Sequence, residues 1–465
     1  MADTHDLVVL GGGTGGYATA LHAATLGLRV ALVERDKVGG TCLHRGCIPT
    51  KALLQAAEVA EHARDASHYG VTASFQGVDG EQLVDYQQQI VQANHKGLEQ
   101  TLGKRGVDVV AGTGRLEGPA QVVVATDDGE RRLQAERGVV LATGSRPSVP
   151  PIEGLEVDGE RVVTSDEALF LTDLPERPIV LGASAVGAEM ASCWAGFGAE
   201  QVELVELLDR VVPMEDADSS RALQRAWRRG PISVRTGAKA TSVERGDDGV
   251  RVGLDDGTTL EGDLLLVATG REPVTSGMGF EEVGVPLDDA GRIPADGLGR
   301  TGVDGVWAVG DVLAPPALAL AHASFQEGIT VAEQAAGRSP LPIDYRTVPR
   351  VYYTHPEVAS VGMTEAEARE AGHEVRTQAF PFTHNARAMM MRGQGQVKLV
   401  AAEDGPVLGV HVVGPKATDL IAEAQLIYAW EALPTEVADL VHAHPTLSEA
   451  VGEAHMALVG RPLHG

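Results

Sequence analysis

The chemistry of this chain starts from two cysteines separated by four residues. They lie in Gly39-Gly40-Thr41-Cys42-Leu43-His44-Arg45-Gly46-Cys47-Ile48-Pro49-Thr50-Lys51. On a regular helix Cys42 and Cys47 would be about 7.5 Å apart in axial rise alone, whereas a disulfide requires Cα atoms roughly 4.4–6.8 Å apart. A bond between them therefore needs a distorted turn, which Gly46 and Pro49 can supply. Such a bond is more easily reduced than a relaxed structural one. Lys51 stands four residues after Cys47, on the same face of a regular helix, where its ammonium favours a thiolate. The alternative is two buried, inert thiols, and spacing alone leaves it open. Cys193 falls in an apolar helical run and reads as a core residue.

A second candidate lies near the other end, in His442-Ala443-His444-Pro445-Thr446-Leu447-Ser448-Glu449. One reading is a carboxylate orienting an imidazole that exchanges a proton with a thiol. The other is a helix start, with Thr446 and Glu449 as a capping box. Both fit the spacing.

These groups need elements to hold them. The strand predicted at 6–10 meets Gly11-Gly12-Gly13-Thr14-Gly15-Gly16, a helix runs from Tyr17 to Leu26, and a strand at 29–33 ends on Glu34. Glycine fits where a tight turn and a close backbone approach leave no room for a Cβ, and the helix N-terminus then holds a pyrophosphate. Glu34 stands where an acid accepts a ribose hydroxyl. The pattern recurs at Gly182-Ala183-Ser184-Ala185-Val186-Gly187, followed by a strand at 201–205 ending on Glu206. Ser184 takes the place of the middle glycine, so its side chain crowds that approach. Two segments, 139–145 and 264–271, read as the last strands of the two halves, and Gly305–Asp311 reads as a strand with an acid at its end. From Ile343 onward, alternating apolar stretches predict an antiparallel sheet, with helices at 417–432, 435–440 and 446–459. The fold class expected is α/β: two Rossmann-like dinucleotide-binding domains and a C-terminal α+β domain.

Composition limits the function. The 465 residues suggest about three domains. Lys+Arg 38 against Asp+Glu 65 gives a net charge of −27, which repels nucleic-acid phosphates. Three cysteines are too few for a secreted disulfide scaffold. No apolar run approaches the ~20 residues of a membrane span, and the N-terminus does not read as a signal peptide. A cytoplasmic protein with no nucleic-acid, membrane or metal partner is expected.

With the Gly11–Gly16 turn, Gly-Gly-Thr-Cys-x4-Cys-Ile-Pro-Thr-Lys, Ala-Thr-Gly-Ser-Arg-Pro at 142–147, Val-Gly-Asp at 309–311, Leu-Ala-His at 320–322 and His-Ala-His-Pro-Thr-Leu-Ser-Glu at 442–449, the whole chain resembles the pyridine nucleotide–disulfide oxidoreductases. It is most similar to the members that oxidise dihydrolipoyl groups with NAD+ in 2-oxoacid dehydrogenase complexes. The resemblance implies FAD at the first glycine turn and NAD at the second. It implies FAD contacts at Gly11, Gly13, Gly16, Glu34, Gly40, Thr41, Lys51, Gly114, Thr143, Gly144, Ser145 and Asp311, with Ala319, Leu320, Ala321 and His322 near the flavin. On the NAD side it implies Gly182, Gly187, Glu189, Glu206 and Gly270. It makes Cys42 the sulfur that exchanges with substrate, Cys47 the one facing the flavin, and His444 the base, held by Glu449 and reaching the cysteines of a second copy. The domains implied are 1–150 for FAD, 151–272 for NAD, 273–342 completing the FAD part, and 343–465 for the dimer. The partners implied are a dihydrolipoyl domain, a homodimer mate with shared active sites, and an acyltransferase core.

Related reductases of glutathione, mycothiol or mercury are the nearest alternatives, and a non-catalytic FAD-binding subunit is another. Glu206 speaks against an NADP enzyme, because a carboxylate repels a 2′-phosphate. No cysteine follows Cys193 to serve a mercuric reductase. Two features depart from the family pattern in addition to Ser184: Arg45 stands where a neutral residue is usual, and two extra residues lie between Asp311 and His322.

Overall fold

The computed structural model describes residues 3–246 and 248–464. The chain divides into two compact units. The first comprises Met1–Ala52, Val84–Ser148 and Arg271–Tyr345, and the second Leu53–Leu83, Val149–Gly270 and Arg346–Gly465.

In the first unit, strand Asp3–Leu10 lies at the centre of a parallel array. Val30–Glu34 and then Asp108–Ala111 lie on one side, and the C-terminal half of Gly129–Leu141 and then Val306–Ala308 on the other. Leu7, Val8 and Val9 are fully buried, as expected of a parallel sheet covered on both faces. One face packs Leu7, Val9, Ala20, Ala23 and Val331 together, and the other packs Val8, Leu10, Val139 and Phe280. Helix Thr14–Thr25 lies close against helix Ala321–Ala335, because a Cβ on Gly328 would stand 2.6 Å from the Gly15 carbonyl oxygen.

The second unit repeats this order. Ile232–Thr236, Val202–Glu206, Pro178–Leu181, Leu264–Val267 and Val162–Val163 run parallel in that sequence across the sheet. A five-stranded antiparallel sheet follows, ordered Arg350–Tyr352, Glu357–Gly362, Val407–Gly414, Gln396–Ala402, Val375–Pro381. Helices Ala417–Ala429, Pro434–Ala438 and Glu449–Leu458 pack on it through residues such as Ile421, Val437 and Val451.

The α/β class with an α+β C-terminal part agrees with the sequence reading, with three differences in detail. The strands within 139–145 and 264–271 are fourth in their arrays, not last. The fifth strands, Val306–Ala308 and Val162–Val163, are three and two residues long; the first lies within the strand expected at 305–311, whereas nothing in the sequence marked the second. The last helix starts at Glu449 rather than at 446, with Ser448 as the preceding residue. Among the described residues no helix is long and apolar enough to cross a membrane.

Candidate active site

The first glycine turn is fixed by sterics. Gly11 has φ +108°, and a Cβ there would lie 2.2 Å from the Ala142 carbonyl oxygen. A Cβ on Gly16 would lie 1.8 Å from the Gly11 carbonyl oxygen, whereas one on Gly13 would meet nothing within 4 Å. The turn therefore leaves open space at Gly13, at the start of helix Thr14–Thr25, which is the shape a pyrophosphate needs. Glu34 closes the turn from the second strand: its Oε2 accepts the Gly12 N–H at 2.7 Å and its Oε1 the Asp36 N–H at 2.8 Å.

The cysteine segment packs directly on this turn. The Gly39 N–H donates to the Gly12 carbonyl at 2.8 Å, and a Cβ on Gly40 would lie 2.7 Å from the Gly13 Cα. Cys42 sits in the short helix Gly40–Arg45 and Cys47 opens the helix Cys47–Asp65. The break falls at Gly46, with φ −149° and ψ −115°. Pro49, expected to help distort the turn, lies instead in the first turn of a regular helix, where proline is tolerated. Both cysteines are thiols here and partly buried. The hydrogen bond with Cys47, burial, and then the charge of Cys47 push the Cys42 thiol up, while the Lys51 ammonium pulls it down. Tyr17 was not singled out in the sequence. Burial and then the cysteine charges push its phenol up to about 12, which places it beside the pair. Cys193 is fully buried in an apolar cluster.

Further groups of the first unit meet at the strand ends. The Ser145 hydroxyl donates to Asp311 Oδ2 at 2.5 Å, and the Arg271 Nε–H reaches the Ser145 Oγ at 2.7 Å. Thr143 donates its hydroxyl proton to the Val274 carbonyl at 2.6 Å, and Gly144 has φ +72°. Gly114 lies inside the sheet, where a Cβ would strike Leu10 at 2.5 Å. Ala319 and Leu320 precede helix Ala321–Ala335, and His322 lies in its first turn. Behind the turn, Glu327 accepts the Gly310 N–H at 2.6 Å and the Tyr345 O–H at 2.9 Å. Burial pushes its carboxyl up to about 7. Arg271 and Glu327 were missed by the sequence reading. Arg271 was visible as a cation following the Gly270 turn, whereas nothing local marked Glu327.

The second unit repeats the turn with one exchanged residue. Gly182 has φ +99° and its Cβ would lie 2.3 Å from the Ala268 carbonyl oxygen, while that of Gly187 would lie 1.8 Å from the Gly182 oxygen. Ser184 has φ −82° and ψ −162° and is exposed, and its side chain makes no capping bond to helix Ala185–Phe197. Glu206 is buried, accepting the Ala183 N–H at 2.6 Å and the Leu208 N–H at 2.9 Å. Gly270 is open to solvent with φ +128°. Glu189 is buried and accepts the Tyr353 N–H at 2.9 Å.

The C-terminal motif belongs to the second unit; its carboxylate meets the imidazole, but the capping box is only half formed, because the helix begins at Glu449 after Ser448 and the Thr446 hydroxyl donates to the Ala443 carbonyl. Glu449 Oε1 accepts from His444 Nδ1 at 2.8 Å, and Oε2 accepts the Thr446 N–H at 2.8 Å. One carboxylate therefore orients the imidazole and also ties the approach to the helix. The hydrogen bonds of Glu449 hold its carboxyl below the ordinary range against the opposing effect of desolvation. His444, whose Nδ1–H is given to Glu449, has a side chain that is 71% exposed. The neighbouring His442 bonds to Glu423 at 2.7 Å, a pair the sequence reading did not resolve.

The two glycine turns, the dithiol segment and the histidine motif define a flavoprotein-type disulfide oxidoreductase. The pyridine nucleotide-disulphide oxidoreductase family matches residues 5–328 and its dimerisation domain matches 348–455; the chain belongs to this family. It is 40% identical over 479 aligned residues to a dihydrolipoyl dehydrogenase of Bacillus subtilis, covering all of both chains. It is 38% identical to a dihydrolipoyl dehydrogenase of Zymomonas mobilis, again over the full length of both. Among solved structures it is similar to LpdA from Mycobacterium tuberculosis, with TM-score 0.89 and 31% identity over 98% of this chain and 100% of that one.

Proposed function

We propose that this chain is a dihydrolipoyl dehydrogenase, which oxidises a dihydrolipoyl group and reduces NAD+ to NADH within 2-oxoacid dehydrogenase complexes. The carrying observation is the Cys42–Cys47 pair seated on the first glycine turn, in a chain 40% identical to a dihydrolipoyl dehydrogenase over its whole length. The open space at Gly13, bounded by Gly11, Gly16 and Glu34, fits the FAD pyrophosphate and ribose, and the matching turn at Gly182–Gly187 with Glu206 fits NAD. FAD, when bound, relays the electron pair between the thiols and NAD+.

The chain's own groups do the remaining work. A dihydrolipoyl thiol gives its proton to His444 Nε2, which is free to accept because Nδ1–H is held by Glu449. The resulting thiolate attacks Cys42 Sγ of the disulfide and expels Cys47 as a thiolate. The second substrate thiol then attacks the mixed disulfide, releasing lipoamide and leaving Cys42 able to hold a proton. Lys51 stands near the pair, and its ammonium favours a thiolate there. FAD binding is assigned to 1–150 and 273–342, NAD binding to 151–272, and dimerisation to 343–465. His444 reaches the cysteines of a second copy in this reading. An acyltransferase core is the partner, and the cytoplasm the location.

The test is turnover of the purified holoenzyme. Dihydrolipoamide with NAD+ is expected to give NADH, and Cys42→Ser to abolish it with FAD retained. Reduction of glutathione disulfide by NADH, with no oxidation of dihydrolipoamide, would overturn the assignment.

A further inference from the structure

His44 and Arg45 stand between the two cysteines, and both reach back to the segment just before the dithiol helix. His44 Nε2 lies 2.9 Å from the Val38 carbonyl oxygen. A carbonyl only accepts, so that nitrogen carries the proton. The same carbonyl receives His95 Nδ1, 3.1 Å away, from helix Gly80–Lys104. The two imidazoles meet edge to face with centroids 4.9 Å apart, and His95 Nε2 lies 3.3 Å from Glu99. Arg45 donates to Asp36 Oδ2 at 3.0 Å, and the Asp36 N–H is in turn held by Glu34. The stretch between the cysteines is thus clasped at two points to residues 36–38.

We infer that His44, supported by His95 and assisted by Arg45, is a positioning residue that holds the Cys42–Cys47 loop in the conformation from which the disulfide closes. The inference rests on the reading of Cys42 and Cys47 as the redox pair. The couple is a disulfide plus two electrons and two protons giving two thiols, with dihydrolipoamide as the reductant and lipoamide as its product. A closed disulfide restrains the loop whether or not the clasp is made, whereas the open dithiol gains conformational freedom once the clasp is lost. Loss of the clasp therefore favours the dithiol. Between the two contacts His44 dominates. The Arg45–Asp36 pair has side chains 46% and 52% exposed, and exposed ion pairs contribute little. The His44 ring is half-buried, packed on a second ring and bonded to a carbonyl on a buried residue.

The experiment equilibrates the holoenzyme anaerobically in lipoamide/dihydrolipoamide mixtures, quenches in acid, alkylates, and weighs the peptide carrying both cysteines. In His44→Leu the disulfide-to-dithiol ratio at a fixed mixture is expected to fall about three- to tenfold, roughly 15–30 mV for a two-electron couple. His44→Asn, which keeps a side-chain N–H, is expected to restore most of that loss, and Arg45→Leu to change the ratio less than about twofold. If His44→Leu does not hold FAD, His95→Leu removes the supporting ring and carries the test in the same direction. An unchanged ratio in the leucine variant tested, or a loss in His44→Asn as large as in His44→Leu, overturns the clasp. A wild-type pair that ignores the mixture overturns the redox reading itself, and the clasp with it.

Discussion

The two glycine turns are copies of each other almost bond for bond. Gly12 N–H to Glu34 is matched by Ala183 N–H to Glu206, and Asp36 N–H to Glu34 by Leu208 N–H to Glu206. The Gly39 N–H to the Gly12 carbonyl is matched by the Val212 N–H to the Ala183 carbonyl, both at 2.8 Å. The difference lies in what the matching segment becomes. After Gly39 the chain enters the helix carrying Cys42, whereas after Val212 it passes to the capped helix Ala217–Trp227. One dinucleotide fold has been given a dithiol and the other has not. The glycine-to-serine exchange leaves the path of the backbone unchanged. Ser184 has nearly the backbone angles of Gly13, φ −82° against −69°, both in a region open to any residue. Serine there strains nothing and only takes up room.

The largest effect that tests this comparison comes from placing a methyl group at either turn. Gly11→Ala and Gly182→Ala each drive a Cβ to just over 2 Å from a carbonyl oxygen. Purified Gly11→Ala is expected to lose FAD, with flavin occupancy reduced about tenfold or more. Gly182→Ala is expected to keep its yellow colour and lose NAD affinity by a similar factor. Loss of flavin from Gly182→Ala instead would reverse the assignment of the two turns.

Nucleotide choice comes next. Glu206 is buried and accepts two backbone N–H bonds, so a 2′-phosphate would be placed against an acidic side chain. Steady-state kinetics are expected to favour NAD+ over NADP+ by about 100-fold, roughly 2.7 kcal/mol, and Glu206→Gln to narrow the gap. Equal efficiencies in the wild type would remove Glu206 as the discriminator.

The two units should also differ with pH. Burial raises the Glu327 carboxyl from 4.5 to about 7 in the first unit. The neutral form is therefore favoured by folding, its contribution is complete below about 4.5, and it is lost as pH rises through 7. In the second unit Lys398 bonds to Asp216, Asp218 and Glu365 at 2.6–2.9 Å. There the Asp216 carboxyl is held at about 2 and the Lys398 ammonium at about 12. That cluster loses its contribution only as pH falls toward 2 or rises past about 10.5. Between pH 5.5 and 8 the temperature of flavin release is expected to fall, reflecting roughly 1–3 kcal/mol, and Glu327→Gln to flatten that slope. A slope unchanged in Glu327→Gln would assign it to another group.

Much of this was legible because the constraints are local. Gly11, Gly16, Gly182 and Gly187 are dictated by backbone atoms a few residues away or at the end of a neighbouring strand. The cysteine and histidine motifs are contiguous in sequence. What was not legible depends on distant chain. The two-residue strand Val162–Val163 is too short for a pattern, and Glu327 acquires its environment from Gly310 and Tyr345, well away from it in sequence. Glu449 shows a different limit: sequence offered a capping box or catalysis as rivals, and one carboxylate takes His444 on one oxygen and the Thr446 N–H on the other, while the helix starts at Glu449, later than the box required. Gly46, not Pro49, breaks the helix, since proline in a first turn costs nothing.

A smaller effect sharpens the contrast between the turns. Ser184→Gly is expected to tighten NAD binding about two- to fivefold, the room of one hydroxymethyl group at a helix N-terminus. Weaker binding would show that the hydroxyl contributes a contact of its own.

In the proposed reaction the dithiol of the first unit exchanges electrons with a flavin held on its own glycine turn. Anaerobic titration with dihydrolipoamide, followed in the visible spectrum, tests it most directly. The wild type should develop long-wavelength absorbance from the Cys47 thiolate beside the flavin, while Cys47→Ser, with FAD still bound, should not. The same band in Cys47→Ser, or none in the wild type at full reduction of the pair, would contradict the account.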